Sequence, residues 1–93
     1  MIRDVVLQPD AVRSLKKAPV FIVNKMHKWV KDVQVFGLEE VRKIPGWHDH
    51  PLKGERKGQR SIYLNKQWRA IYILDKKGII EFASVEEVSL HKY

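Results

Sequence analysis

The stretch Arg60-Ser61-Ile62-Tyr63-Leu64-Asn65-Lys66-Gln67-Trp68-Arg69-Ala70-Ile71-Tyr72-Ile73-Leu74 contains two runs rich in Ile, Tyr and Trp on either side of a short polar triplet. Branched and aromatic side chains fill a pleated surface well, and a polar connection this short closes an antiparallel hairpin. Strands are therefore predicted over 60–64 and 68–74, joined at Asn65-Lys66-Gln67. Downstream, Asp75-Lys76-Lys77-Gly78 supplies a second turn and 79–83 a further strand. Alternation of apolar and polar residues breaks near Ser84, which predicts a bulge or bend before a last extended piece over 85–88.

Upstream of the hairpin the pattern changes period. Pro9 suits the first turn of a helix, where its missing N–H would be unpaired in any case, and Pro19 marks the end of that helix. Ile22, Met26, Trp29, Val33 and Phe36 then recur at spacings of four, three, four and three, with Lys25, Lys28, Lys31 and Asp32 on other faces. This predicts an amphipathic helix ending at Gly37. A short third helix follows over 38–43, closed by Pro45-Gly46, and 47–58 lacks regular period and reads as a loop. Val5-Val6-Leu7 forms a small strand-like cluster at the start. The expected architecture is α+β, with N-terminal helices packed on one face of a small antiparallel sheet whose other face is partly free.

Ninety-three residues hold one domain, and a hydrophobic content of 44% is enough for a core. There is no cysteine, which excludes a disulfide framework, thiolate metal sites and a cysteine nucleophile. No apolar run approaches the roughly 18 residues of a membrane span, and Met1-Ile2-Arg3-Asp4 lacks the layout of a signal peptide, so a cytoplasmic location without membrane contact is expected. A formal net charge of +7 favours polyanionic partners.

The cations concentrate where the strands begin. Between Lys53 and Arg69 lie Lys53, Arg56, Lys57, Arg60, Lys66 and Arg69, against the single acid Glu55. Arg56, Lys57, Arg60 and Lys66 are candidates for RNA contact, since cations hold phosphates and nearby aromatic faces can stack bases. Tyr63 and Trp68 read first as core residues of a small sheet. His48, Asp49 and His50 give only a weak metal signal, and no metal or other cofactor is expected. With no phosphate-binding glycine loop, nucleophile elbow or placed carboxylate pair, the remaining chemistry is metal-free acid–base work on a phosphodiester, using His, Lys, Arg or Tyr.

The run His50-Pro51-Leu52-Lys53-Gly54-Glu55-Arg56-Lys57-Gly58-Gln59-Arg60-Ser61-Ile62, followed by Asn65, Trp68-Arg69-Ala70-Ile71 and the final His91-Lys92-Tyr93, resembles the HigB toxins of the RelE/ParE superfamily. The likeness covers about residues 41–93. It implies a RelE-like fold and a ribosome-dependent endoribonuclease that cuts mRNA in the A site of the 70S ribosome, contacting rRNA, and is silenced by a cognate HigA-like helix-turn-helix antitoxin. It places His50, Lys53, Arg69, His91 and Tyr93 at the reacting phosphate, with Lys53 and Arg69 stabilising charge. His91 or His50 would act as base, the other or Tyr93 as acid. The chain ends His-Lys-Tyr where the best-known version of that family ends Asp-Tyr-His.

The same superfamily includes ParE-like proteins that poison DNA gyrase by binding alone, and a non-catalytic RNA-binding module would share the same charge. Titratable groups at His50 and the terminal His and Tyr favour the nuclease, because a binder has no need of them there.

Overall fold

The computed structural model describes residues 1–88. Strand β1 (Val5–Leu7) leads into helix α1 (Pro9–Lys17), which is followed by α2 (Val20–Phe36) and the short α3 (Leu38–Arg42). Four more strands complete the chain: β2 (His50–Pro51), β3 (Arg60–Tyr63), β4 (Trp68–Leu74) and β5 (Ile80–Glu87). They form one five-stranded sheet in the order β1-β5-β4-β3-β2. From β2 to β5 the pairings are antiparallel, as expected, but β1 pairs parallel to β5, so the sheet is mixed. β1 and β5 are separated in sequence by all the other elements, so no tight turn constrains that pair to run antiparallel.

The hairpin between β3 and β4 is closed by Asn65, whose side-chain oxygen accepts the N–H groups of Gln67 and Trp68, both at 2.8 Å. The irregularity near Ser84 is a bulge. Ile71 pairs with Ser84 and Tyr72 with Phe82, which leaves Ala83 without a partner. Segment 47–58 carries more structure than a loop, since His50 and Pro51 pair with Ser61 and Arg60 to form the sheet edge. A strand of two residues leaves no alternation to detect in sequence.

One stripe of α2 supplies the helical side of the core, with Ile22, Met26, Trp29 and Val33 all buried. Phe36 is exposed instead, because Gly37 and Leu38 take the buried place at that end and the Leu38 N–H bonds to the carbonyl of Ile2. Trp29 packs edge-on against Phe82 at 5.1 Å between ring centres and lies 5.6 Å from Tyr72. Ile62, Ala70, Tyr72, Ile80, Phe82 and Val85 point from the sheet into this core. Side chains alternate along a strand, so the residues between them face the opposite side. That second face carries the candidate site.

Candidate active site

Register partners share a face, and β2 to β5 bring His50, Ser61, Ile71 and Ser84 into one row. Two residues along, Tyr63, Arg69 and Glu86 form the next row. Sheet spacing puts the Cα atoms of His50 and Arg69 roughly 12 Å apart, with Tyr63 between them. This is a distance two long side chains can close on a phosphate.

His50 is exposed at the sheet edge, and its Nδ1 lies 2.6 Å from the carbonyl oxygen of His48. A carbonyl only accepts, so Nδ1 is the protonated nitrogen and the neutral ring keeps a free lone pair on Nε2. Tyr63 is 40% exposed rather than a core residue. Its ring lies 6.4 Å from that of His50 and 4.7 Å from that of His48. Three residues on from Arg60, Tyr63 falls on the opposite face from Arg60, while Ile62 goes to the core. Beyond Tyr63 a cleft of about 350 Å³ opens between the hairpin tip and α2, lined by Lys25, His48 and Lys66 among others. Trp68 does pack in part against the core, as expected.

The cations divide into three groups. Lys53, Lys57 and Lys66 are exposed, and none has an ion-pair partner among the described residues. Arg56 and Arg69 both meet the carboxylate of Glu86. Arg56 donates through two nitrogens at 2.9 and 3.2 Å, and Arg69 through Nε and Nη2 at 3.2 and 3.0 Å. Ser84 donates its hydroxyl to the same carboxylate at 3.1 Å. Burial pushes Glu86 toward the neutral form, but the Arg56 and Arg69 hydrogen bonds outweigh it and hold its carboxyl below the ordinary range.

Arg60 lies apart from the other cations. It pairs with Tyr72 on the core side of the sheet and donates at 2.7 Å to Asp49, whose side chain is 0% exposed. Tyr72 donates its hydroxyl to the other oxygen of Asp49 at 2.6 Å and accepts from Arg42 at 3.4 Å. Asp49 is thereby turned inward, away from His48 and His50. Among the described residues no group of three His, Asp or Glu side chains is placed to hold a metal ion. His91 and Tyr93 lie outside the described residues.

No protein-family model and no curated protein sequence matches the chain. Its structure does have clear likenesses. YafQ from E. coli superimposes with a TM-score of 0.73 over 91% of this chain and 92% of that one, at 23% identity. The YoeB–YefM complex from Staphylococcus aureus matches at 0.70, 20% identity, over 92% and 97% of the two chains. The chain has the RelE-like toxin fold. A toxin–antitoxin complex from Mycobacterium tuberculosis, RelBE2, shares it at a TM-score of 0.61 and 19% identity, over 94% and 99% of the two chains. In the RelE-like fold of this chain His50, Tyr63 and Arg69 share one face of the sheet, and the Arg69 guanidinium is turned to Glu86.

Glu86 carried no functional signal in the sequence, Asp49 only the weak metal pattern it made with His48 and His50, and the exposure of Tyr63 was not foreseen. The spacing of Arg69 and Glu86 is 17 residues, and only the β4–β5 register makes them neighbours.

Proposed function

We propose that the chain is a ribosome-dependent mRNA endoribonuclease toxin of the HigB type, held inactive by a HigA-like antitoxin. The observation that carries this reading is the shared face of His50, Tyr63 and Arg69, reached from three different strands. The sequence run from His50 to Arg69, which resembles the HigB toxins, supports it. So does the fold, because two of the similar structures are complexes of a toxin with its antitoxin.

Cleavage without a metal uses the 2′-hydroxyl of the RNA as nucleophile. The hydroxyl loses its proton, its oxygen bonds to the adjacent phosphorus, and the bond from phosphorus to the 5′-oxygen breaks. The products are a 2′,3′-cyclic phosphate and a free 5′-hydroxyl. In this chain Nε2 of His50 takes the first proton, because Nδ1 is already committed to His48. Tyr63 protonates the leaving 5′-oxygen, a role that the resemblance gives to His91 or Tyr93. Arg69 and Lys53 balance the charge of the phosphorane. Lys57 and Lys66 hold neighbouring phosphates or rRNA.

The test is cleavage of an mRNA on programmed ribosomes by purified protein, with gyrase supercoiling assayed alongside. Codon-dependent cuts that disappear in His50→Ala support the reading. Inhibited supercoiling without cuts would replace it with the ParE-like alternative.

A further inference from the structure

The guanidiniums of Arg56 and Arg69 are not free. Arg56 reaches in from the segment that links β2 to β3, Arg69 reaches across from β4, and both end on Glu86 of β5. Arg69 lies between Tyr63 on one side and Glu86 on the other, so its bond to Glu86 draws it away from His50. Arg56, Arg69 and the Ser84 hydroxyl direct five hydrogen bonds at one carboxylate, all between 2.9 and 3.2 Å.

A phosphodiester carries the same single negative charge as a carboxylate and offers two unesterified oxygens to the same planar forks. We infer that Arg56, Arg69 and Ser84 form a phosphate site occupied in the free protein by Glu86, which must swing out when the RNA backbone enters. Exchange of one monoanion for the other conserves both the charge balance and the donor count. Glu86 is near the end of β5 and part-exposed, so its side chain has solvent to move into. The internal carboxylate then competes with substrate and lowers the apparent affinity by the fraction of time it holds the site. Glu86 is a positioning residue in this scheme and forms no bond with the RNA.

The inference rests on the proposed role of Arg69 at the phosphate, and its test is separate from ribosomal cleavage. Binding of a short 2′-O-methyl RNA, which has no free nucleophile, is measured by titration at low salt. Glu86→Gln keeps the shape and removes the charge. It should bind about tenfold more tightly than the wild type. Glu87→Gln removes the same charge from the other side of β5 and sets the general electrostatic gain, expected at about twofold or less. The Glu86→Gln gain should vanish when Arg69→Ala is added. An affinity for Glu86→Gln equal to that of Glu87→Gln, or weaker, overturns the proposal and makes Glu86 a fixed scaffold for the arginines. Should Glu86→Gln fail to fold, the wild type still decides the matter. The 13C resonance of the Glu86 carboxylate must shift on saturation with the 2′-O-methyl RNA, and an unmoved resonance overturns the exchange. Tight oligonucleotide binding by Glu86→Gln without any ribosomal cleavage would leave the exchange intact and remove the nuclease.

Discussion

At the scale of single residues, the tautomer of His50 is the most consequential detail. The hydrogen bond from Nδ1 to the His48 carbonyl leaves Nε2 as the nitrogen with a free lone pair, aimed away from the backbone contact. His50→Ala should lower single-turnover cleavage on ribosomes by about 100-fold or more, with native far-ultraviolet circular dichroism. Tyr63→Phe keeps the ring and removes the hydroxyl. If the phenol protonates the 5′-oxygen, cleavage falls by a similar factor while RNA binding holds, and the loss is relieved with a substrate carrying a better leaving group, such as a 5′-thio linkage. His50, Lys53 and Arg69 could be proposed as site residues from the sequence because they lie in one short motif. Glu86 could not, because nothing local to it differs from an ordinary exposed strand glutamate.

Among elements, the edge strand β2 is held by chemistry rather than by length. Two residues make few ladder bonds, and the buried Asp49 immediately before them is tied to Arg60, Tyr72 and, through Tyr72, Arg42. This network fixes where His50 emerges. Arg60→Ala leaves Asp49 buried with its charge half-matched and should destabilise the fold by about 3 kcal/mol, read from urea unfolding. Burial, with the Asp49 carboxylate adding to it, pushes the Tyr72 phenol up to about 12 from its ordinary 10.0. A raised phenol stabilises the folded state below pH 10 and loses that contribution as pH rises toward about 12. Wild-type protein should therefore lose stability over that alkaline window, and Tyr72→Phe should lose less, in melting curves recorded at each pH. The sequence pointed to Arg60 as an RNA contact because it stands amid other cations. Strand parity sends it to the core side instead.

Taken as a whole, the molecule presents a charge pattern with consequences for salt and acid. Lys57→Ala and Lys66→Ala should each weaken ribosome binding and reduce the slope of log affinity against log salt by about 0.7 for every phosphate no longer neutralised. An unchanged slope removes the phosphate role of that lysine. Glu86, depressed below its ordinary 4.5 by Arg56 and Arg69, stabilises the fold above that pH and loses its contribution as pH falls below it. The difference in urea midpoint between wild type and Glu86→Gln should hence be constant above about pH 5 and shrink below 4.5.

The helices, the two hairpins and the bulge near Ser84 were all readable in order along the chain, because each depends on periodicity and turn residues within a short window. So was the gathering of cations around residues 53–69. Tertiary structure alone decided the parallel edge strand, the exposure of Tyr63, the burial of Asp49 and the capture of Arg56 and Arg69 by Glu86. Each of these depends on which residues stand opposite one another across strands, and that register joins positions as distant in the chain as Val5 and Ile80, with no trace in the local pattern.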